Sequence, residues 1–296
     1  MRSFMLLSLR KTIVFALLFL TASMSLYAAD TNPSFRVMSF NVRYGSANDG
    51  ENSWEYRCET LVDEIKENDP LMFGVQEAIV KQMDYISESL PEYAFVGVGR
   101  DDGAQGGEYC AVFYKKEYLD LLDSGTFWLS ETPEKAGVKG WDAACNRVVS
   151  WGKFKCKQSG KEFVYANTHF DHMGQIARRN SAHLVLDRMS KIAGDLPWFI
   201  SGDFNSSPDS EVYKILTNKE DGVFGLNDSR LIAKKLDIAQ NRTFHDFGRI
   251  PADKGSIIDY IFVTDNISVE EFKISPDKRN GRFPSDHDSI VATLTL

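Results

Sequence analysis

Apolar and polar residues follow two regular patterns along the chain, and these patterns predict its secondary structure. Apolar runs or apolar–polar alternation predict β-strands at residues 35–40, 71–75, 93–98, 109–114, 147–154, 162–167, 197–200, 257–263, 269–274 and 290–296. Apolar residues at helical spacing predict helices at residues 54–66, 80–86, 175–193 and 209–217. Residues 43–53, 125–146 and 220–255 show neither pattern and are expected to be irregular. Strands in both halves with helices between them predict an α+β protein with two packed sheets and outer helices.

The first 29 residues differ from the rest in composition. Arg2, Arg10 and Lys11 precede an apolar run at residues 12–20, and small residues follow as far as Ala29. This order is typical of an export signal, and the run is short for a membrane span. A retained N-terminal anchor is the alternative. We therefore expect a signal peptide at residues 1–29, one domain at residues 30–296, and an exported protein, periplasmic or extracellular, with no stable membrane anchor. The sequence indicates no protein partner.

The chain is acidic, with a formal net charge of −8, and loss of the basic export signal makes it more so. An acidic protein binds duplex nucleic acid poorly, because phosphate contacts supply much of that affinity. Part of the acidity can instead serve a metal site. The four cysteines lack metal-ligand spacing. Cys110 lies in an apolar run and is expected to be a buried free thiol, whereas a disulfide between Cys145 and Cys156 is left open.

Polar residues end the buried strand that leads into residues 200–208. Gly202 lets the backbone turn there. Asp203 and Asn205 are two residues apart and would point to the same side of an extended strand end. A carboxylate beside a carboxamide can hold a hard cation or orient a phosphate. The plain alternative is a turn stabilised by local hydrogen bonds.

Similar polar residues follow other apolar strands along the chain. They are Asn41, Glu77, His169, Asp286 and His287, and Asp259 lies within a strand. A buried carboxylate has to be paired or bound to a metal. Any one of these residues could be a strand cap or a surface turn, but together they indicate one polar site assembled from several strands.

The ordered motifs SFN, QE, NTHFDH, GDFN, IDYIF and SDHDSI resemble those of the endonuclease/exonuclease/phosphatase superfamily, and the resemblance runs from Val37 to Val291. That superfamily includes secreted deoxyribonucleases, abasic-site nucleases, deadenylases, sphingomyelinases and inositol-polyphosphate phosphatases. The resemblance implies a four-layer αββα sandwich, in which two mixed β-sheets pack face to face with helices outside. It also implies a Mg²⁺ site, with Mn²⁺ as a substitute, at one end of the sandwich.

The resemblance also implies the residues of that metal site. Glu77 matches the principal metal carboxylate of the family, and Asn41 and Asp286 match residues close to the metal.

Catalytic roles follow from the same motifs. His287 matches the catalytic histidine, Asp259 the carboxylate that orients it, and Asp203 the residue that orients or deprotonates the nucleophile. Asn205 and His169 match residues that contact the phosphate. If His287 has to be charged, activity should fall at high pH as it loses its proton.

Two further residues are weaker candidates for substrate binding. Glu108 is expected to pair with His169, or else to be an exposed edge charge. Arg147 is expected to hold a phosphate through its fork of donors, or else to form a surface salt bridge.

These features predict a secreted Mg²⁺-dependent phosphoester hydrolase, with a phosphodiesterase or nuclease that uses in-line attack of water as the first expectation. One alternative is a phosphatase or sphingomyelinase-like phospholipase acting on a sugar phosphate, an inositol phosphate or a lipid head group. Another is a non-catalytic binding module that retains the fold. The lack of a Lys/Arg cluster counts against tight duplex binding, and the lack of an apolar hairpin counts against a lipid substrate.

Overall fold

Two mixed β-sheets form the centre of the computed structural model, which describes residues 34–220, 224–238 and 240–296. The predicted signal peptide therefore lies outside the described residues. In spatial order, the strands of the seven-stranded sheet are β10 (Lys235–Ile238), β12 (Ser268–Ile274), β13 (Ile290–Thr295), β1 (Ser34–Asn41), β2 (Met72–Gln76), β4 (Val112–Lys115) and β3 (Tyr93–Val96). Those of the six-stranded sheet are β5 (Leu119–Trp128), β6 (Val148–Cys156), β7 (Glu162–His169), β8 (Trp198–Asp203), β11 (Asp259–Val263) and β9 (Asn227–Asp228).

Helices cover the outer face of each sheet. They are α1 (Trp54–Asn68), α2 (Val80–Ser89), α3 (Gln175–Ala193), α4 (Glu211–Thr217) and α5 (Ser229–Ile232), with short 3-10 turns at Gly50–Asn52 and Asp246–Gly248. The apolar residues of α1 and α2 pack with the outer face of the seven-stranded sheet, and those of α3 and α4 join the core of the six-stranded sheet. The result is the predicted four-layer sandwich.

Strand alternation divides the core into its layers. In β1, Val37 faces the core between the sheets, whereas Met38 and Phe40 belong to the cluster beneath the outer helices. Phe35 joins the sheets directly, because its ring stacks on Phe163 of β7 with centroids 5.6 Å apart. Burial of such aromatic rings is a main source of stability for this fold.

The predicted strands and helices are confirmed, with three corrections. Gly125–Trp128, predicted irregular, continues β5, an edge strand whose exposed middle residues hide the alternation. The segment 220–255 contains the short elements β9, α5 and β10. The strand predicted from residue 109 begins at Val112, because Tyr109 forms only isolated bridges.

Gly202 lies inside β8 rather than at a turn. It pairs with Thr168 on one side and with Tyr260 on the other. A Cβ atom there would come within 2.2 Å of the Thr168 carbonyl oxygen. Glycine is therefore required by the close approach of two strands.

All four cysteines lie among the described residues, and each is a free thiol, so Cys145 and Cys156 do not form a disulfide. Cys110 is buried as predicted, and burial raises its pKa to about 12. In the part of the chain that the structure describes, no helix combines the length and apolar character needed to span a membrane.

Candidate active site

Four central strands bring most of the candidate residues to one end of the sandwich. Strands β1 and β2 are parallel neighbours, as are β7 and β8, so their carboxyl ends coincide. Asn41 ends β1, Glu77 follows β2, His169 ends β7 and Asp203 ends β8. Asp259 begins antiparallel β11 directly opposite Asp203. The structure therefore brings these residues together at one end of the sandwich, and their roles stay predictions.

The Asn41 side chain connects the two sheets at this site. Its Nδ2 donates to Glu77 Oε1 at 3.0 Å and to Asp203 Oδ2 at 3.1 Å. The same nitrogen lies 3.4 Å from His287 Nε2. One amide group therefore fixes the Glu77 and Asp203 carboxylates, which belong to different sheets, relative to each other.

His287 and Asp259 form a buried pair. His287 Nδ1 donates to Asp259 Oδ2 at 2.9 Å, and His287 Nε2 lies 3.8 Å from Asp203 Oδ2. Burial disfavours the imidazolium, but the charges of Asp259, Asp203 and Asp286 outweigh it and hold the pKa of His287 well above its ordinary value. The charged ring can therefore present an Nε2–H donor to a phosphoryl oxygen at neutral pH.

Asp203 lies at the centre of the cluster. Its Oδ1 accepts a hydrogen bond from the Asn205 backbone at 2.8 Å, and its Oδ2 lies 3.4 Å from His169 Nε2. Burial, with a further contribution from the charge of Asp259, raises the pKa of Asp203 to about 7. A carboxylate with a pKa near neutrality suits general-base catalysis, because a base works best when its pKa is close to the working pH.

Asn205 lies at the site, but its backbone conformation differs from the predicted one. Its backbone is left-handed, with φ of 47°, so it does not continue an extended strand beside Asp203. Its Nδ2 donates to the Phe170 carbonyl at 3.0 Å and lies 3.0 Å from His169 Nε2. Burial, followed by the charges of Arg147 and Arg100, holds the pKa of His169 well below its ordinary value, so the ring is neutral.

Glu77 and Asp286 are the candidate metal carboxylates. Glu77 also has a left-handed backbone, with φ of 65°, and its Oε2 accepts from the Tyr44 backbone at 2.8 Å. Burial would raise the pKa of Glu77, but the charge of His287 and the hydrogen bonds from Asn41 and Tyr44 lower it overall. Burial raises the pKa of Asp286, although the charge of His287 opposes it. Strained backbone of this kind clusters at functional sites.

Two carboxylates and one imidazole of this cluster lie close enough together to hold a divalent cation, and the carboxylates supply the oxygen donors. Ligand atoms of Glu77, His169 and Asp203 all lie within 4.8 Å of one another. Oxygen donors with excess negative charge are what Mg²⁺ and Mn²⁺ prefer. Asn41 Oδ1 already accepts the Arg43 backbone N–H at 3.0 Å, so Asn41 offers the site its amide hydrogens. Its assignment as a metal ligand stays a prediction.

The cluster opens into a cavity of about 480 Å³. It is lined by Arg43, Tyr44, Glu77, Arg100, Glu108, Cys145, Arg147, His169, His172, Asp203, Asn205, Phe244, Asp246, Ile258, Asp286 and His287. Eight of these residues were not predicted as site residues: Arg43, Tyr44, Arg100, Cys145, His172, Phe244, Asp246 and Ile258. Arg43 and Tyr44 follow Asn41 almost directly in the chain, which is a local signal that pointed to them.

Arg147 is buried at the cavity wall, so the alternative of a surface salt bridge is wrong. Its side chain is 5% exposed, its Nε lies 3.5 Å from Asp171 Oδ2, and its Nη2 lies 3.1 Å from His172 Nδ1. Nε and Nη1 are buried with no hydrogen-bond partner among the described residues. An arginine with free donors at a cavity suits a bound phosphate.

Glu108 does not pair with His169. It accepts two hydrogen bonds from Arg100, at 2.6 and 2.7 Å, and it is too buried to be an exposed edge charge. His169 Nδ1 has no partner in the part of the chain that the structure describes. A substrate-binding role for Glu108 stays a prediction.

A buried polar layer beneath the site was missed altogether. Gln76 Nε2 donates to Asn167 Oδ1 at 2.7 Å and contacts Ser39 Oγ at 3.1 Å, and Ser201 Oγ donates to the same Asn167 oxygen at 3.0 Å. Ser39, Asn167 and Ser201 each lie two residues before a site residue on the same strand. Alternation therefore places them on the same face, a signal that the sequence contained.

Solved structures with the same fold support this description. An endonuclease/exonuclease/phosphatase from Bacteroides vulgatus is 40% identical, with a TM-score of 0.85, and the alignment covers 89% of this chain and 99% of that one. A mannosyl-6-phosphatase from Bacteroides thetaiotaomicron is 35% identical, with a TM-score of 0.82, and the alignment covers 89% of this chain and all (100%) of that one.

Curated relatives are more distant. The CCR4-Not complex 3'-5'-exoribonuclease subunit Ccr4 of Mycosarcoma maydis is 24% identical over 343 residues, which cover 90% of this chain and 51% of that protein. The chain spans about half the length of the curated relatives it matches.

The family model described as the Endonuclease/Exonuclease/phosphatase family matches residues 38–287, which is most of the chain. Its members hydrolyse phosphoester bonds and depend on metal ions. The protein is therefore a phosphoester hydrolase and belongs to the Endonuclease/Exonuclease/phosphatase family.

Proposed function

We propose that the protein is an exported, Mg²⁺-dependent phosphatase that hydrolyses a small phosphomonoester, with sugar phosphates as the first substrate class. The observation that carries this proposal is a cavity of about 480 Å³ whose lining includes four of the five predicted catalytic residues, His169, Asp203, Asn205 and His287. The fifth, Asp259, is buried and accepts a hydrogen bond from His287. An array of this kind favours an enzyme over a non-catalytic binding module.

The charge distribution of the cavity supports a small substrate. Its lining contains three arginines, Arg43, Arg100 and Arg147, and no lysine. Each arginine forms an ion pair with a carboxylate, of Asp49, Glu108 or Asp171, and of these three Arg147 has two donor nitrogens without a hydrogen-bond partner among the described residues. A long polyanion needs a row of unpaired cations along its path. The arrangement serves one phosphate better than a nucleic-acid backbone.

The solved relatives point the same way. The Bacteroides thetaiotaomicron structure described as a mannosyl-6-phosphatase is 35% identical over its whole length. The exoribonuclease relatives are less similar and match over only part of their length. These comparisons favour a phosphomonoester over the nucleic-acid substrate that the sequence alone put first.

The geometry suggests how hydrolysis proceeds. Asp203 accepts a proton from a water whose oxygen attacks phosphorus in line, and the bond to the leaving oxygen breaks. The leaving alkoxide takes a proton from solvent. His287 Nε2–H and the free Nη1 of Arg147 donate to phosphoryl oxygens as negative charge develops there. Asp259 keeps the His287 ring charged and oriented, and Asn205 holds the neutral ring of His169.

Glu77 and Asp286 would hold the divalent ion, and Asn41 fixes the position of Glu77. The bound ion would polarise the phosphate and stabilise the leaving oxygen.

A phosphodiesterase remains the second candidate function, because the curated relatives include the exoribonuclease Ccr4. The two functions differ in whether the phosphate carries one or two ester groups. Paired substrates that differ only in this respect separate them.

The deciding experiment measures hydrolysis by the chain without residues 1–29, with Mg²⁺ and with EDTA. The substrates are p-nitrophenyl phosphate, bis-p-nitrophenyl phosphate, mannose 6-phosphate, glucose 6-phosphate, inositol phosphate, sphingomyelin, and single-stranded DNA and RNA. We expect Mg²⁺-dependent release of phosphate from a monoester, at least tenfold faster than cleavage of the diester. Faster cleavage of the diester or of an oligonucleotide would establish the second candidate.

Three variants test whether the measured hydrolysis comes from this active site or from a contaminating enzyme. Glu77→Gln and His287→Asn should lose the activity. Asp253→Asn should keep it, because Asp253 is exposed, forms an ion pair with the exposed Lys254 and does not line the cavity. N-terminal sequencing of the protein from a cell that exports it tests the signal peptide. A mature chain that begins near residue 30 is expected, and an intact N-terminus would overturn export by cleavage.

A further inference from the structure

A second cluster of metal-ligating side chains lies outside the catalytic cavity. It consists of His245, Asp277 and Asp288, whose ligand atoms all lie within 4.8 Å of one another. None of the three lines the cavity. His245 is fully buried and Asp288 is 3% exposed, although the sequence placed His245 in an irregular segment.

Four polar atoms of this cluster have no hydrogen-bond partner among the described residues. They are His245 Nε2, Asp277 Oδ1 and both carboxylate oxygens of Asp288, and all four are buried. A buried carboxylate without donors is costly, since it loses its hydration without replacement. The catalytic carboxylates differ, because backbone or side-chain donors reach Glu77 and Asp203.

The distance between the His245 ring and the Asp288 carboxylate suits a cation bound between them better than a direct hydrogen bond. His245 Nε2 and Asp288 Oδ1 are 3.4 Å apart. A charge-assisted hydrogen bond is shorter, at about 2.7–2.9 Å. Two ligands about 2.0–2.1 Å from a tetrahedral ion lie about 3.4 Å from each other.

The neighbours of the cluster orient the Asp277 carboxylate and contact the His245 ring. Arg242 Nη2 donates to Asp277 Oδ2 at 2.7 Å, which orients the carboxylate and leaves Oδ1 to the cluster. The Gly248 N–H donates to the His245 carbonyl at 2.9 Å and lies 3.3 Å from His245 Nδ1. The second contact favours a proton on Nε2 and so supports the competing arrangement, an ion pair of His245 with Asp288. That pair would still leave Asp288 Oδ2 and Asp277 Oδ1 without donors.

We propose that His245, Asp277 and Asp288 form a second, structural site for a divalent transition-metal ion, of which Zn²⁺ best fits one imidazole and two carboxylates. Imidazole selects such ions over Mg²⁺ and Ca²⁺. The site would join three segments that meet behind the catalytic residues. Asp288 N donates to the Thr243 carbonyl at 2.7 Å, and His245 N donates to the Asp286 carbonyl at 3.0 Å.

The test counts metal equivalents in the chain without residues 1–29. Protein is dialysed against Zn²⁺, freed of excess ion, and analysed by inductively coupled plasma mass spectrometry. The Glu77→Gln protein, whose catalytic site is impaired, is compared with Glu77→Gln proteins that also carry Asp277→Asn or Asp288→Asn. We expect each second substitution to remove one equivalent of Zn²⁺.

Two controls make the result specific. Asp237→Asn, on the exposed strand β10, should leave the zinc content unchanged. Co²⁺ in place of Zn²⁺ should give the intense visible absorption of a low-coordinate site, which Asp277→Asn abolishes. Asp277 is the safer variant for folding because its side chain is 24% exposed. Equal zinc content in the Glu77→Gln protein and in both double variants would overturn the proposal and establish the ion pair. This outcome is independent of the phosphatase assay.

Discussion

The segment Ser285–Ser289 separates two acidic clusters with opposite surroundings. On one side, Asp286 and His287 face a cavity, and donors from Asn41, Tyr44 and the Asn205 backbone meet the carboxylates there. On the other side, Asp288 is closed off and no donor reaches its oxygens in the described residues. An open cluster can exchange water, substrate and ions, whereas a closed one has to be satisfied permanently. Catalysis is therefore expected on the first side and structural stabilisation on the second.

The largest expected effect is the difference between substitutions of two neighbouring residues, His287 in the open cluster and Asp288 in the closed one. His287→Asn removes the charged donor from the cavity and should lower kcat by about 10²- to 10⁴-fold. It should also lower thermal stability, because the buried Asp259 carboxylate loses its partner. Asp288→Asn should leave kcat within about tenfold but lower the unfolding temperature in the presence of Zn²⁺. Steady-state kinetics and thermal denaturation of both variants measure this. A large kcat loss in Asp288→Asn with unchanged stability would reverse the assignment.

Arg147 tests whether the open cluster binds phosphate directly. Arg147→Lys keeps the charge but loses the fork of donors, so KM for the substrate and Ki for inorganic phosphate should rise about 10- to 100-fold, or about 1.4–2.7 kcal/mol. Arg188→Lys, on α3 and paired with Glu134, is the matched control. Unchanged phosphate inhibition in Arg147→Lys would show that Arg147 only supports Asp171 and His172.

The pH profile tests the charge on His287. Because its pKa is held well above the ordinary histidine value, the ring keeps its proton through neutrality and loses it only in alkaline solution. The fall of Mg²⁺-dependent kcat/KM on the alkaline side, by about tenfold per pH unit, should therefore begin well above the ordinary histidine pKa of about 6.5. On the acid side, kcat/KM should fall below about pH 7 as the general base Asp203 takes up a proton. The alkaline fall in kcat/KM is therefore expected at a higher pH than the fall that loss of the proton from an unperturbed histidine would cause. A decline that begins near pH 6.5 would contradict the pairing with Asp259.

The smallest expected effect concerns Glu64, beside the closed cluster. Its carboxylate accepts from Ser289 Oγ, and burial raises its pKa to about 7 from an ordinary 4.5. The folded state then binds more protons than the unfolded state between those two values. Stability is complete below about pH 4.5, falls as pH rises towards 7, and stays lower above that, by about 1–3 kcal/mol.

Urea unfolding at pH 5 and pH 8 measures this effect. Glu64→Gln should reduce the difference in unfolding free energy between the two pH values, whereas Glu67→Gln, close to it on the same helix and more exposed, should not. An equal pH dependence in the original and Glu64→Gln proteins would show that Glu64 is not the group responsible.

The sequence by itself determined the layers and most of the candidate site. Alternation revealed the central strands, because each one buries a face locally, and their polar ends marked Asn41, Glu77, His169 and Asp203. The order of those motifs indicated the family. The edge strand β5 was not predicted, because its middle residues are exposed on both faces and therefore show no alternation of apolar and polar residues.

Tertiary structure alone decided which partners these residues have. Glu108 pairs with Arg100 rather than His169, Arg147 is buried behind Asp171, and Gly202 is required by Thr168 across a neighbouring strand. His245 and Asp288 lie far apart in the chain, and only the fold brings them together. The physical reason is separation along the chain. Periodicity depends on residues close together in the sequence and records only whether a residue is buried. Hydrogen bonds and charge interactions depend on which distant segment supplies the neighbouring atom.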